Sequence, residues 1–314
     1  MTGPRVRAVV VTWNGAHLLP ECLDSLLAQD FTPGEMEVLV VDNASTDGTA
    51  ALLAESYSQV RVLALPRNAG FAGGVAAGTA DLVAPGADLS ALPEYVALLN
   101  NDARFEPDAV RLLVDAADAA AAAGERVGAV TATVLLAERD RDGRVLVNST
   151  GNVLTAAGAA ADRDYRVPLD DVQPARDVFG FNGGASLLRT TALREAGGFD
   201  AQLFLYYEDT DLSWAMREHG WSVVHEHAAR AHHRHMASTG GGTSPTFRYY
   251  NTRNSLIVVT RHAGAGAALK SLARQTAGAV LRTVRPAEPA AVVRARWRGL
   301  GAYLGWLVTR RGRA

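Results

Sequence analysis

Apolar and polar positions along the first 125 residues follow a pattern that predicts strands alternating with helices. Short runs rich in β-branched residues have the length of buried strands, and leucines recur at helical spacing between them. The predicted strands are residues 6–12, 37–41, 60–65 and 95–99, and the predicted helices include residues 18–27 and 49–56. This order favours an α/β chain of Rossmann-like type, with a mostly parallel central sheet flanked by helices.

Hydrogen-bonding residues follow each of these four predicted strands. They are Thr12 and Asn14, Asp42 and Asn43, Arg67 and Asn68, and Asn100 and Asp102. Ligands of open α/β sheets bind beyond the carboxyl ends of the strands, so these residues are candidates for a binding site. Any one of them is also explained as a turn or cap residue, because Asn and Asp are common there.

The second half of the chain has a less regular pattern. Residues 127–135 and 144–154 are candidate strands, and residues 155–176 have no clear period and are predicted to form a loop. Residues after 248 are mainly helical in pattern. We therefore expect a domain over residues 1–247, with halves 1–125 and 126–247, followed by a helical C-terminal region over residues 248–314.

The C-terminal region is strongly basic. It holds 13 of the 31 Lys and Arg residues and one acid, Glu288, whereas the rest of the chain is acidic. An apolar stripe runs through it at Val293, Trp297, Leu300, Leu304 and Leu307. A basic amphipathic helix suits an anionic surface, either nucleic acid or the cytoplasmic leaflet of a membrane. A solvated basic face, or packing against the protein body or a partner helix, explains the same pattern.

Composition indicates a globular protein that folds in the cytoplasm. Hydrophobic residues make up 48% of the 314 positions, which is ample for a packed core. No apolar stretch reaches the ~20 residues that span a bilayer, and no secretory signal pattern opens the sequence. The single cysteine, Cys22, cannot form an internal disulfide, and its place in an apolar helical pattern predicts burial.

An acidic cluster marks the predicted start of a helix. Glu208, Asp209 and Asp211 lie within four residues, directly after Tyr206 and Tyr207. Acids at a helix start complement the helix dipole, which accounts for one or two of them. Two aromatic neighbours would also shield a general base and raise its pKa toward neutrality.

Histidines crowd a second short segment. They are His225, His227, His232, His233 and His235. A lone histidine is more often structural, but imidazole is also a good metal ligand, and a carboxylate at a strand end such as Asp102 suits a hard divalent cation.

Six segments occur in a recognisable order at residues 10–14, 41–48, 67–74, 99–102, 197–200 and 207–212. Together they resemble glycosyltransferase family 2, and within it the rhamnosyltransferase-like group, over roughly residues 6–262. The resemblance implies a GT-A fold, with a nucleotide-sugar-binding half before an acceptor and catalytic half. It also implies a hexosyltransferase that uses Mg²⁺ or Mn²⁺.

The resemblance assigns a metal site. Asn100, Asn101 and Asp102 take the place of the family's metal motif, with Asp102 as the metal-binding carboxylate. Relatives commonly carry a histidine about twelve residues after a glycine–tryptophan pair, and His233 lies 12 residues after Trp221. We therefore predict His233 as the second ligand. The alternatives are His232 and His235.

The resemblance also assigns the base and the donor site. Asp209 is implied as the catalytic base, and Glu208 and Asp211 as supports of the acceptor site or of the helix start. The residues implied in donor binding, besides Asn100 and Asn101, are Thr12, Asn14, Asp42, Arg67, Asn68 and Gly70.

The expected reaction is a single displacement that inverts the anomeric carbon. The group resemblance favours dTDP-L-rhamnose as donor and a glycan, lipid-linked or cell-wall polysaccharide acceptor at the inner face of the membrane, with no nucleic-acid partner and a homodimer left open. A UDP-hexose or GDP-mannose donor is the alternative. Two rivals are a non-catalytic membrane-surface protein on a degenerate transferase body and a nucleotidyltransferase, whose Gly-rich basic loop is absent after the first strand.

Overall fold

Most of the strands form one large sheet, and helices pack on both of its faces. The computed structural model describes residues 3–32, 34–155, 159–173, 175–234, 244–285 and 288–311. The strands are β1 (Val6–Thr12), β2 (Met36–Asp42), β3 (Arg61–Ala64), β4 (Tyr95–Leu99), β5 (Ala103–Phe105), β6 (Val127–Arg139), β7 (Val145–Ser149), β8 (Asn152–Leu154), β9 (Ala160–Asp162), β10 (Asp177–Val178), β11 (Ala185–Arg189) and β12 (Ser222–His233). The helices are α1 (Leu19–Leu27), α2 (Thr49–Ser56), α3 (Gly70–Gly78), α4 (Ala80–Val83), α5 (Ala109–Ala122), α6 (Thr190–Glu195), α7 (Glu208–Glu218), α8 (Pro245–His262), α9 (Gly264–Val284) and α10 (Ala290–Arg311).

The sheet runs in the order β10-β12-β6-β11-β4-β1-β2-β3, with β5 paired to β12 and β7 paired to β6. The half formed by β3, β2, β1 and β4 is parallel, and β6 and β12 are also parallel to each other. β11 lies antiparallel between β4 and β6. The predicted α/β fold with a mostly parallel central sheet is confirmed, and β1 and β4 have the predicted bounds.

The central strands are buried on both faces of the sheet, so a hydrophobic core lies on each face. Every residue of β1 and of β4 is buried, so these strands have continuous apolar runs. On one face Leu23 of α1 and Leu113 of α5 pack against the sheet, and on the other face Val75 of α3 and Leu193 of α6 do so. This packing fixes the strand ends that carry the polar residues.

The segment predicted as a loop over residues 155–176 contains regular structure, so that prediction was wrong in part. It holds β9, which pairs with β8 in a separate two-stranded sheet, and a 3-10 turn at Leu169–Asp171. None of the three residues of β9 is buried, so the strand has no apolar alternation to detect. The strand predicted over residues 144–154 is divided into β7 and β8, and Gly151 lies between them at φ +113°.

The chain divides into two compact units. The first comprises Met1–Val153, Asp162–Phe204 and Glu208–His235, and the second comprises Leu154–Ala161, Leu205–Tyr207 and Met236–Ala314. The predicted boundary between residues 247 and 248 falls inside α8. That helix begins earlier because Pro245 takes its first turn and the Ser244 side chain accepts a hydrogen bond from the backbone N–H of Phe247. The division between residues 125 and 126 stays a prediction.

In the second unit α10 packs against α8 and α9. The predicted apolar stripe on α10 is correct in part: Val293 and Leu300 are buried, whereas Trp297 and Leu304 are 40% and 48% exposed. The buried face also includes Tyr303, whose hydroxyl lies 2.8 Å from Oγ1 of Thr260 on α8. None of the helices in the described ranges has the length and apolar character needed to cross a membrane.

The second unit also contains Leu205–Tyr207, a short segment held by α8. The fully buried Asn254 donates from Nδ2 to the carbonyl oxygens of Leu205 and Tyr206, at 2.9 and 2.8 Å. Tyr206 and Tyr207 have φ angles of +67° and +73°, in the left-handed region that non-glycine residues rarely adopt. A buried amide therefore maintains a backbone conformation that is costly by itself.

Candidate active site

The register of β5 on β12 brings Asp102 beside His233. Ala103 lies opposite His233 in this antiparallel pair, and Asp102 is the residue before β5. Nε2 of His233 lies 3.0 Å from Oδ1 of Asp102, and the two side chains are only 15% and 6% exposed. The backbone N–H of Arg234 donates to the carbonyl oxygen of Asp102 at 2.9 Å. The two residues predicted as metal ligands are thus in direct contact.

Asn148, at the end of β7, fixes the orientation of the His233 ring. Nδ1 of His233 lies 2.7 Å from Oδ1 of Asn148, whose side chain is buried. Because an amide oxygen only accepts hydrogen bonds, Nδ1 carries the proton, and in the neutral ring Nε2 keeps its lone pair. That lone pair then faces a carboxylate oxygen, an arrangement that suits a shared cation. Asn148 was not foreseen in the sequence.

The pair supplies two ligands, and a bound cation would draw its other ligands from elsewhere. Among the described residues, no group of three or more His, Cys, Asp or Glu side chains is arranged to hold a metal ion. Two protein oxygens or nitrogens plus phosphate and water is a usual arrangement for Mg²⁺, so the donor set fits a cation shared with a diphosphate. A cavity of about 240 Å³ adjoins the pair and is bordered by Arg104, Arg139 and Arg234.

The other histidines of the cluster have separate surroundings. His232 is the neighbour of His233 in β12, and its Nε2 lies 2.9 Å from Oε1 of Glu106. His225 is buried, and Nε2 of its ring lies 2.9 Å from Oγ1 of Thr133. Burial, with a smaller effect from nearby Arg163, lowers the pKa of His225 to about 4. The remaining alternative ligand, at position 235, lies outside the described residues.

The acidic cluster begins α7, as predicted. Oδ2 of Asp209 accepts a hydrogen bond from the backbone N–H of Gly183 at 3.3 Å. Oδ1 of Asp209 accepts from the backbone N–H of Thr210 at 2.6 Å. Asp209 is half-buried, so one carboxylate is both held by the protein and reachable from solvent. Asp211, also half-buried, lies one residue beyond Thr210 on the same helix.

Glu208 is buried, and burial with the nearby charge of Asp209 raises its pKa to about 8. Within the described part of the chain its Oε2 has no hydrogen-bond partner. A neutral, buried carboxyl does not have the solvent access that a proton acceptor for a bulky substrate needs. The arrangement therefore favours Asp209 over Glu208 as the reactive carboxylate.

A turn at residues 182–184 connects the two halves of this site. Oδ1 of Asn182 accepts from the backbone N–H of Gly184 at 2.8 Å, and the carbonyl oxygen of Gly184 accepts from the backbone N–H of Asn100 at 2.9 Å. The same turn donates to Asp209 through Gly183. The segment that carries Asp102 and the carboxylate of Asp209 are thus held by one short turn.

Asp162, at the end of β9, joins this network, and no pattern in the sequence predicts it. Its Oδ1 accepts a hydrogen bond from Nδ2 of Asn182 at 3.1 Å. Burial raises the pKa of Asp162 to about 6, and the charge of Asp209 adds to this effect. Solvent still reaches the side chain. Asp162 is therefore linked to Asp209 through the turn at residues 182–184.

The ends of β1, β2 and β4 meet at one edge of the sheet. Nδ2 of Asn101 donates to Oγ1 of Thr12 at 3.0 Å. Asn14 adopts φ +51°, and its Oδ1 accepts from the backbone N–H of Thr46 at 2.8 Å. Oδ1 of Asp42 accepts from the backbone N–H of Ser45 at 3.0 Å. These residues, predicted to bind the donor, lie together, and the hydrogen bonds also shape the surrounding turns.

The remaining predicted donor residues lie where β3 leads into α3. Oδ1 of Asn68 accepts from the backbone N–H of Gly70 at 2.8 Å. Gly70 has φ +73°, and a Cβ there would lie 2.2 Å from the carbonyl oxygen of Phe204. Arg67 is exposed, and within the described residues its side chain forms no hydrogen bond or ion pair. Asn68 and Gly70 therefore build the loop, and the Arg67 guanidinium has no partner among the described residues.

The sequence profile of glycosyl transferase family 2 matches residues 8–195, which is more than half of the chain. The chain belongs to glycosyl transferase family 2. The expectation drawn from the six segments is confirmed, and the protein is a glycosyltransferase. The matched range contains Asp102 and, apart from the first two residues of β1, the parallel strands β1 to β4.

Two curated relatives have informative names. An N-acetylglucosaminyl-diphospho-decaprenol L-rhamnosyltransferase of Mycobacterium tuberculosis is 28% identical to this family 2 glycosyltransferase over 271 residues, covering 82% of this chain and 84% of the relative. The succinoglycan biosynthesis protein ExoO of Rhizobium meliloti is 36% identical over 120 residues, covering 38% of this chain and 31% of that protein. The protein is thus rhamnosyltransferase-like.

Solved structures confirm the GT-A fold. GalNAc-T7, solved with UDP, GalNAc and Mn²⁺, has a TM-score of 0.59 and 14% identity; the match covers 82% of this chain but only 47% of GalNAc-T7. The mannosyltransferase PcManGT from Pyrobaculum calidifontis, solved with GDP-Man and Mn²⁺, has a TM-score of 0.55 and 19% identity, covering 96% of this chain and 87% of that one. Because the identities are only 14% and 19%, these two structures show that the family 2 glycosyltransferase has the same fold and no more.

Proposed function

We propose that this protein is an inverting, cation-dependent rhamnosyltransferase that uses dTDP-L-rhamnose and a lipid-linked or polysaccharide acceptor. The single observation that carries this proposal is the 3.0 Å contact between Asp102 and His233, tied through one glycine turn to Asp209. The 28% identity to a rhamnosyltransferase over 82% of the chain supports the choice of sugar. The name of that relative also supports a polyprenyl-diphosphate-linked sugar as the acceptor class.

Asp102 and His233 would hold the divalent cation, Mg²⁺ or Mn²⁺. When bound, such a cation neutralises the charge that develops on a departing diphosphate. The Mn²⁺ in the two GT-A structures supports this choice of metal. Arg104, Arg139 and Arg234 border the adjoining cavity and would add positive potential near the diphosphate.

Asp209 would be the general base. Its carboxylate takes the proton of the acceptor hydroxyl, the freed oxygen bonds to the anomeric carbon, and the bond from that carbon to the diphosphate oxygen breaks. The hydrogen bonds from Gly183 and Thr210 hold the carboxylate in place for this attack. Glu208 and Asp211 would support the helix start rather than transfer the proton.

The donor nucleotide would lie at the edge formed by the ends of β1 to β4. Asp42 would contact the pyrimidine or ribose, and Thr12 and Asn14 would lie near it. The guanidinium of Arg67 and the loop at Gly70 would close around the base and sugar. Asn100 and Asn101 would complete the donor side next to Asp102.

We also propose that the C-terminal unit binds the cytoplasmic face of the membrane. Several apolar side chains of α9 and α10 are exposed, namely Leu269, Leu281, Val284, Trp297, Leu304 and Val308. Basic residues outnumber acids by 13 to one after residue 247. Apolar and basic groups together suit an anionic bilayer surface, where a lipid-linked acceptor would be found.

A thermal-shift screen of nucleotide sugars with Mg²⁺ or Mn²⁺ tests the function, because a ligand that binds the folded state raises its stability. The expected result is a rise in Tm with dTDP-L-rhamnose that requires the cation, followed by transfer to an acceptor. Selective stabilisation by a UDP-hexose or by GDP-mannose would instead support those donors. A chain that binds no nucleotide sugar would contradict the proposal.

A further inference from the structure

Asp162 is an acid in the hydrogen-bond network of the candidate active site that the proposed mechanism does not use. It lies at the end of β9, and Nδ2 of Asn182 donates to its Oδ1 at 3.1 Å. This donor holds the carboxylate on one side. A carboxylate has about four lone-pair positions, so acceptor capacity remains on the side that faces solvent.

Hydrogen bonds of the turn at residues 182–184 link Asp162 to the two functional parts of the site. Asn182 donates to Asp162, and the next two residues of the turn bond to Asp209 and to the backbone N–H of Asn100. In the described part of the chain Asp162 forms no ion pair with any Lys or Arg. It is also not part of any three-ligand metal group among those residues. Salt-bridge formation and metal binding therefore do not account for this residue.

We propose that Asp162 binds a hydroxyl group of the sugar that occupies the active site, and so contributes to sugar specificity. Its carboxylate is held by Asn182, is exposed to solvent, and belongs to the hydrogen-bond network that also holds the proposed base and the segment that carries Asp102. Sugar hydroxyls are the donors that a substrate would bring to this position, and hydrogen bonds to a charged acceptor are among the stronger ones. The inference rests on the proposed function for the identity of the sugar and for the place where it binds.

Sugar analogues and Asp162 variants together test this proposal. Transfer is measured for wild type, Asp162→Asn and Asp162→Ala with dTDP-L-rhamnose, its monodeoxy analogues and deoxy forms of the acceptor sugar. We expect the KM for one substrate to rise on the order of tenfold to a hundredfold in the variants. Removing the contacted hydroxyl from the substrate should raise the KM of the wild type by a similar factor and should change the KM of Asp162→Ala little.

The responding substrate identifies the source of the hydroxyl. A change in the KM for the nucleotide sugar and in its hydrolysis assigns the contact to the transferred sugar, and a change in the acceptor KM alone assigns it to the acceptor. Binding of dTDP with Mg²⁺ should stay within about twofold of wild type, because dTDP carries no sugar to transfer. Asp170→Asn removes an exposed carboxylate from the same part of the chain and should leave every constant unchanged.

Three outcomes would overturn the inference. The first is unchanged KM values in both variants. The second is a loss of dTDP affinity as large as the change in KM. The third is a deoxy analogue whose KM rises by the same factor with Asp162→Ala as with the wild type. The first two would indicate no role or a purely structural one. If the wild-type protein transfers no sugar from any nucleotide sugar, the proposed function itself is contradicted. That failure is seen before any variant is compared, so it is distinct from a failure of the Asp162 proposal.

Discussion

Asn148 accepts a hydrogen bond from Nδ1 of His233 at 2.7 Å, on the side of the ring opposite Asp102. Groups that bond the distal nitrogen of a metal-binding imidazole fix its tautomer and orientation. The contact joins β7 to β12, two strands separated by more than 70 residues and both paired to β6. The shape of the proposed cation site therefore depends on how three strands align.

Replacing Asn148 with Ala should weaken cation binding by about 10- to 100-fold, because the His233 ring loses its fixed orientation. His233→Ala should weaken it at least as much. The measurement is a calorimetric titration of Mn²⁺ in the presence of dTDP. His232→Ala is the matched control, since its side chain pairs with Glu106 instead. If the control loses as much affinity as the other two variants, the assignment of His233 is wrong.

Asp209→Asn should lower kcat by about 10²- to 10⁴-fold, the usual contribution of a general base, and leave donor binding near wild type. The amide keeps the size of the side chain but cannot take the acceptor proton. Single-turnover transfer and donor calorimetry measure the two effects. Glu218→Gln removes an exposed carboxylate at the other end of α7 and should transfer normally. Near-normal turnover by Asp209→Asn would rule out the assignment.

Glu208 should make the folded state less stable as pH rises. Its pKa is about 8 in the folded chain against an ordinary value of 4.5, so the unfolded chain releases the proton first. The contribution of Glu208 to stability is highest below pH 4.5. It falls between about pH 4.5 and pH 8, by up to about 1.4 kcal/mol per pH unit, and is constant at higher pH. Glu208→Gln should gain stability over wild type between pH 5 and 9 in urea unfolding, whereas Glu218→Gln should not. A constant difference across pH would contradict the prediction.

Gly70→Ala should destabilise the fold by more than about 2 kcal/mol. The residue has φ +73°, and a Cβ would meet the carbonyl oxygen of Phe204 at 2.2 Å. Gly266→Ala is the control, because a Cβ there meets nothing within 4 Å in α9, and it should stabilise by about 0.5–1 kcal/mol. Urea unfolding measures both. Equal effects of the two substitutions would show that the clash is relieved.

Val284→Asp and Val308→Asp should weaken binding to anionic vesicles by about tenfold or more, because each places a charge where an apolar side chain would enter the bilayer. Both valines are exposed, at 73% and 74%, so the fold should be unaffected. Cosedimentation with vesicles of anionic lipid measures the change. Leu89→Asp, an exposed position in the first unit, is the control. Vesicle binding that is equal in all variants would contradict the membrane proposal.

Much of the fold could be predicted from the sequence where burial leaves a clear pattern. The continuous apolar runs of β1 and β4 gave the strand bounds, and their following polar residues indicated the binding edge. His233 was predicted to bind a metal together with Asp102 because relatives carry a histidine at the same spacing after a tryptophan. The register of β5 on β12 explains why the two residues are in contact. Asn148 and Asp162 could not be predicted from such patterns. Their strands are short, β9 has no buried residue, and their partners lie far along the chain, so no local periodicity marks them.

The two hydrogen bonds from Asn254 to Leu205 and Tyr206 bear on how this protein can be dissected. A segment from the middle of the sequence belongs with the last helices, so the two units are interleaved along the chain. A truncation after residue 247 would delete Asn254 and leave the left-handed turn just before Asp209 without its support. Gene fusions, limited proteolysis and separate expression of a catalytic fragment should therefore preserve α8.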